Sequence, residues 1–434
     1  MTKFPLLPHM ASMLAHLLLG GSLLMFAPAK AHNLIPAERQ QQAILLKNAT
    51  VHTVSQGTLE NTDVLLEQGV ISAVGPGLTA ENAREFDLSG KHLYPGLIAL
   101  DTTLGLVEIA MARPTVDSRD VGSANPQLEA ASAFNPDSEL LPSVRANGIT
   151  HAQIVPRGTG IAGQSALVSL DAWTIEDAQV PSKPQFHLYW PTAPQKQGTS
   201  EADKQAQMAY QDALSQIHKH FEAGKRYALS QQGSEGALED SRWQALLPLY
   251  RQEARLFVHA DRQQQIEAAI ALARQYGFKL TLVGGYDAWR LGAALNEIEA
   301  SVIYTHTLDL PLREDEPIGQ AFRVPALLKR AGIPFALGFS SDWDSRNLPL
   351  AAGQTVAWGL SKEQALKAIT QDAAKILGVD NLGAVAPGFQ ANIVVSSGDI
   401  LDPMSSRIEL MFIDGRQVDL NNRHRQLYQK YLKR

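Results

Sequence analysis

The chain has 434 residues, 45% hydrophobic and 19% charged, which is more than one compact core usually holds and points to two domains of a soluble globular protein. Cysteine is absent, which excludes disulfides, thiol nucleophiles and cysteine-ligated zinc. A formal net charge of -6 excludes the broad basic field that holds nucleic acid or anionic lipid.

In chain order, Lys3, the apolar stretch over residues 11–26 and the small-x-small run Ala29-Lys30-Ala31 predict a secretory signal peptide over 1–31. That implies a periplasmic or secreted protein whose mature form begins at His32. No segment reaches the roughly 20 apolar residues that a membrane span needs. Residues 43–54 and 63–74 are rich in Val, Ile and Leu, with a turn at Gln68-Gly69. The same pattern returns over 391–396 and 408–413, followed by the hairpin signal Asp414-Gly415. One composite β domain over 43–94 plus 384–420 accounts for both.

The middle alternates. Strands are expected over 149–155, 256–259, 279–283, 301–304 and 334–338. Helices are expected over 201–222, 262–276, 287–297 and 319–331, and another, marked by the capping pair Ser361 and Gln364, ends near Leu377. This rhythm gives an α/β fold with a TIM-type (β/α)8 barrel over 95–383, with an open doubly wound sheet as the alternative. His151 lies within a strand and reads as a core or rim histidine. Gly158 to Gly163 lacks the Lys-Ser/Thr ending of a phosphate loop and reads as a flexible barrel loop. Residues 173–194, with Trp190 and several prolines, read as a loop covering the barrel mouth or as plain surface. Residues 421–434 read as an amphipathic helical tail without a binding role.

Several phrases, in order, carry a family likeness: Leu45-Leu46-Lys47-Asn48-Ala49, Asp63 to Gly75, Tyr94-Pro95-Gly96-Leu97-Ile98, Ala365 to Thr370, Leu382 to Gly388, and Phe412-Ile413-Asp414-Gly415-Arg416. Over residues 43–420 the chain resembles the amidohydrolase superfamily, most of all its exported, imidazolonepropionase-like members. The resemblance implies a barrel flanked by a β-sandwich made from both chain ends. It also implies a metal site at the C-terminal ends of the barrel strands.

Carried over residue by residue, that site departs from the family pattern. The His-x-His positions read Asp101-Thr102-Thr103, and a Val-His-Ala-His-Arg phrase reads Val258-His259-Ala260-Asp261-Arg262. A Glu-His-Gly phrase becomes Val283-Gly284-Gly285, and the last-strand Thr-Asp aligns with Phe339-Ser340, with Asp342 two residues later. The candidate metal ligands are therefore His259 and Asp101, and the candidate catalytic carboxylate is Asp342. Asp261, Arg262, Thr103 and His306 are expected to line the ligand site.

A divalent metal, zinc or manganese, is implied only if these residues form a rearranged site, and otherwise none. Two functions follow. One is a hydrolase of non-peptide carbon–nitrogen bonds with a rearranged site. The other is a non-catalytic homologue that binds a small-molecule ligand or supports an active partner, as a homo-oligomer or a paired homologous subunit.

Overall fold

The computed structural model describes residues 34–194, 200–231 and 239–434. The expected signal peptide lies outside them. Among the described residues no helix is long and apolar enough to cross a membrane.

The first five strands are β1 (Ile44–His52), β2 (Thr58–Glu67), β3 (Val70–Gly75), β4 (Arg84–Asp87) and β5 (His92–Pro95). The barrel strands follow as β6 (Leu97–Thr102), β7 (Ile149–Ile154), β8 (Gly160–Ser169), β9 (Gln179–Tyr189), β10 (Arg255–Ala260), β11 (Lys279–Gly284), β12 (Ser301–Tyr304) and β13 (Phe335–Leu337). The chain returns to the first sheet with β14 (Ile393–Ser396), β15 (Ile408–Ile413) and β16 (Arg416–Gln417).

That first sheet runs β16-β15-β14-β5-β1-β2-β3, with β4 also on β1, so both ends of the chain build it. Its alternating apolar residues bury Leu46, Val51, Val64, Leu66, Leu93, Ile393 and Phe412 in one core. Two hairpins have two-residue turns in which both residues take positive φ, Gln68-Gly69 (51° and 80°) and Asp414-Gly415 (50° and 70°). This geometry matches the right-handed twist of the strands on either side, which is why the turn residues were legible.

The second sheet has eight strands in sequence order from β6 to β13. Phe339 N–H, just past β13, donates to Leu100 O on β6 at 3.1 Å. A Cβ on Gly338 would sit 2.8 Å from that same carbonyl, so the seam has room only for glycine. The sheet curls on itself and closes as a barrel, which removes the open-sheet alternative. One strand differs from the regular pattern: β8 runs antiparallel to both β7 and β9.

Two loop expectations give way to strand. Residues 173–194 contain β9, whose Gln185 to Tyr189 pair with both β8 and β10. Its Pro181 and Pro184 fall in a bulge between the paired residues Val180 and Gln185, where no ladder donor is needed. Gly160 and Gly163 belong to β8, where a Cβ would meet Ser123 O at 2.3 Å and Leu128 O at 2.8 Å respectively. These glycines let the 123–129 segment lie against the strand.

Inside the barrel, Ile98, Leu100, Leu167, Phe257, Val283, Ile303 and Ala336 make an apolar layer against Ile376 and Leu377. The inward positions one step further along β7 to β10 are polar. The sandwich is fastened to the barrel by buried Asp171, which takes Arg145 Nη1 at 2.6 Å, Arg416 Nη1 at 3.2 Å and Ala37 N–H at 3.1 Å.

Candidate functional site

The polar layer begins at the exit of β6. The ladder to β7 shifts register between Ala99 and Thr102, and Asp101 takes φ 57°. Asp and Asn tolerate this left-handed conformation better than most residues. It breaks strand alternation, so Asp101 and Thr103 do not act as a simple i, i+2 pair. The Asp101 carboxylate is wholly buried. One oxygen accepts from Arg157 Nη1 at 2.7 Å and the other from Ser340 Oγ at 2.6 Å. Arg157 Nη2 also donates to the Asp101 carbonyl at 2.6 Å.

From Arg157 the contacts continue across the mouth. Its Nη1 donates to Tyr189 OH at 3.1 Å, and the Tyr189 ring stacks on His259 with centroids 3.8 Å apart and planes at 12°. His259 Nε2 shares a hydrogen bond with His187 Nδ1 at 2.9 Å, and His187 Nε2 reaches Ser165 Oγ at 2.8 Å. Ser165 and Gln153 both donate to Gln185 Oε1, and Gln153 Oε1 accepts from Asp101 N–H at 3.2 Å. The network thus returns to the residue where it started.

Burial holds both imidazoles well below the ordinary histidine value, aided by their neighbours: His259 beside His187, and Arg157 beside His259. Both are neutral at physiological pH. Burial disfavours charge on Arg157 too, but the Asp101 carboxylate and the Tyr189 oxygen outweigh it and keep the guanidinium charged.

A second polar group lies over β10 to β12. Asp261 Oδ1 takes His306 Nε2 at 2.7 Å, and His306 Nδ1 bonds Asp309 at 2.7 Å. Burial opposes the imidazolium, but the two carboxylates prevail and raise the His306 pKa to about 10. Gly284, at a position where the resemblance implies a ligand, has φ 90°, and a Cβ there would lie 2.2 Å from Asp261 Oδ1. The Asp261 carboxylate fills the space that a side chain at 284 would need.

The remaining candidates are placed as follows. Asp342 lies on the loop after β13 and, among the described residues, accepts only from Ser341 Oγ at 3.2 Å. Thr103 is buried in the turn after β6, and its carbonyl accepts from Leu106 N–H. Arg262 forms the N-cap of the helix Gln263–Tyr276. Asp101 and His259 thus join one network through Arg157 and Tyr189, Asp261 and His306 pair separately, and Asp342 and Thr103 join neither.

A divalent metal, typical of amidohydrolases, does not fit this donor set. Asp101 is engaged by a guanidinium and a hydroxyl, His259 by a second histidine, and Asp261 by an imidazolium. Among the described residues no three His, Cys, Asp or Glu side chains converge as ligands.

The reading of residue types missed Arg157, His187 and Tyr189. Arg157 stands two residues past the strand expected over 149–155, at an end where barrel chemistry resides. His187 and Tyr189 stand two apart in Phe186-His187-Leu188-Tyr189, which is a strand signal that the prolines obscured.

Residues 266–418 match the amidohydrolase family. Short stretches are similar to curated dihydroorotases: 42% identity over 60 residues with that of Halalkalibacterium halodurans, and 36% over 55 residues with that of Carboxydothermus hydrogenoformans. The chain spans only 14% and 13% of the length of these relatives. Among solved structures, the amidohydrolase of Thermotoga maritima superposes with a TM-score of 0.76 at 25% identity, over 87% of this chain and 99% of that one. Molinate hydrolase shares the fold at a TM-score of 0.53 and 14% identity, over 89% of this chain and 96% of that one. The barrel with its two-ended sandwich and the near full-length superposition give this chain the fold of the amidohydrolase of Thermotoga maritima, and its second half matches the amidohydrolase family.

Proposed function

We propose that this chain is a metal-independent member of the superfamily whose barrel mouth binds a small molecule, with the machinery for hydrolysing non-peptide carbon–nitrogen bonds lost. The observation that carries this reading is the guanidinium of Arg157, bonded to both the carboxylate and the carbonyl of Asp101. A fixed cation on the carboxylate oxygen competes directly with any metal there. Without a held metal, the pKa of water is not brought down toward neutrality, and little hydroxide is available. A general base alone contributes only about 10²–10⁴-fold, and the Asp342 carboxylate has no hydrogen bond to the network among the described residues.

The subfamily reading rests on the imidazolonepropionase-like phrases at both chain ends. Export to the periplasm or beyond rests on the signal-like segment, and N-terminal sequencing should find His32 first.

The test is elemental analysis of protein purified without chelator, together with turnover of lactam and hydantoin substrates. We expect neither bound metal in stoichiometric amount nor hydrolysis. About one equivalent of zinc or manganese, with turnover lost in His259→Ala, would establish the rearranged-site hydrolase instead.

A further inference from the structure

At the foot of the barrel, the first residues of β10, β12 and β13 border a cavity of about 420 Å3. Asp101 and His259 lie toward the other ends of their strands, so this cavity is on the face opposite the mouth. Its size is within the range that small-molecule sites occupy. Four cations line it, Arg255, Lys329, Lys367 and Lys375, against two carboxylates, Glu299 and Asp372. That leaves an excess of two positive charges in a chain whose formal net charge is -6. Ile333, Pro334, Phe335 and Ile376 add apolar surface to the same lining.

The cations are short of counter-charge. Lys367 meets Asp372 at 3.7 Å, and among the described residues this is the one ion pair within the set. Burial raises the Asp372 carboxyl above its usual value, while Lys367, Lys375 and Lys329 all act on it in the opposite sense. Three lysines thus face a single half-buried carboxylate. Arg255 Nη1 reaches neutral acceptors, Leu280 O at 3.3 Å and Thr281 Oγ1 at 3.4 Å. Burial lowers the pKa of Arg255, and Glu299 does not offset this. A smaller cavity of about 190 Å3 shares Arg255, Glu299 and Ile376 with the first, and adds Lys183 and Lys279 but no further acid. Concave, low-dielectric walls focus such a field and concentrate anions.

We propose that this cavity binds a soluble small molecule carrying a phosphate monoester on an apolar body. A phosphate monoester holds about -1.5 to -2 charge at neutral pH, which matches the excess at the site, and offers three strong acceptor oxygens to the lysines and Arg255. The apolar residues of the lining take the body. The site is separate from the barrel mouth and stands whether or not the mouth holds metal.

The test uses phenyl phosphate as the probe on the full mature chain, with phenyl sulfate as the monoanion and phenol as the neutral analogue. Phenyl phosphate should raise the melting temperature with concentration. Phenyl sulfate and phenol should bind at least about tenfold more weakly, the loss expected for a charge-assisted hydrogen bond. The double change Lys329→Glu with Lys375→Glu reverses two exposed lysines and should weaken phenyl phosphate by at least a similar factor. Lys430→Glu with Lys433→Glu alters net charge equally outside the cavity lining, and should leave the affinity within about twofold.

Absence of phenyl phosphate binding, or equal binding of phenyl sulfate and phenyl phosphate, would overturn the proposal even if the double variant does not fold. So would equal weakening by the two double changes, or affinity unchanged in the Lys329 and Lys375 variant. Vesicles containing phosphatidic acid present the same group on a lipid. Protein that sediments with them and releases bound phenyl phosphate would overturn the soluble-ligand reading.

Discussion

The pair Asp101–Arg157 can be probed with Asp101→Asn, Arg157→Met and the double variant. Asparagine keeps the shape of the side chain and tolerates the left-handed backbone at φ 57°, so Asp101→Asn removes charge without adding strain. The carboxylate side chain is 0% exposed and the guanidinium 18%, so each single change leaves its partner charged in a site largely closed to water. Breaking a buried pair from one side costs about 3–5 kcal/mol. Unfolding entropy of about 2.1 cal/mol/K per residue gives the 434-residue chain about 0.9 kcal/mol per degree, so each single variant should melt about 3–6 °C lower. The double variant leaves no orphaned charge and should lose about 1–3 kcal/mol less than the sum of the singles. Denaturant titration of all four proteins gives this coupling. If the double variant equals the sum within about 0.5 kcal/mol, the pair is not coupled and the guanidinium does not satisfy the Asp101 carboxylate.

Restoring a ligand by Gly284→His should fail: the Cβ would meet Asp261 Oδ1 at 2.2 Å and the backbone has φ 90°, so we expect a lower melting temperature and no zinc uptake by calorimetry. The folded-state pKa of His306, about 10, lies above the ordinary 6.5, so its contribution to stability is complete below about pH 6.5 and is lost as pH rises toward 10. His306→Gln should flatten that alkaline loss in melting curves recorded against pH. Burial, and more weakly Arg416, hold His151 down at about 4, so its contribution runs the other way, intact above about pH 6.5 and falling as pH drops toward 4. His151→Gln should reduce the acid sensitivity in the same experiment. Asp171→Ala orphans two buried arginine contacts and should cost about 3–5 kcal/mol, with limited proteolysis cutting first between sandwich and barrel.

Much of the fold was legible because it rests on local signals. The sandwich strands alternate, and their hairpins turn on Gln68-Gly69 and Asp414-Gly415, where Gly and Asp accept positive φ readily. β8 and β9 were not legible, since glycines demanded by a neighbouring segment and prolines placed in a bulge look like loop until the partner strands are known. The candidate site was legible as a set of positions rather than as chemistry. The resemblance located Asp101, His259, Asp261 and Gly284, and the structure shows Asp261 against both His306 and the missing side chain at 284. Arg157 carries no spacing pattern. Its partner Asp101 is 56 residues earlier in the chain, and only the closed barrel brings the two together.

The sheet built from both chain ends also sets an order of assembly. β5 pairs with β1 on one side and with β14 on the other, and β14 is encoded after the whole barrel. A ribosome adding about 5–20 residues per second reaches β14 roughly 15–60 s after β5, a gap of about 300 residues. Throughout that interval the outer edge of β5 has no ladder partner, and unpaired edges invite association with other chains. Only four residues long and ending in Pro95, β5 offers a short template during the wait. The barrel between them must therefore fold against an unfinished sandwich, and the last strands to be made complete the first sheet.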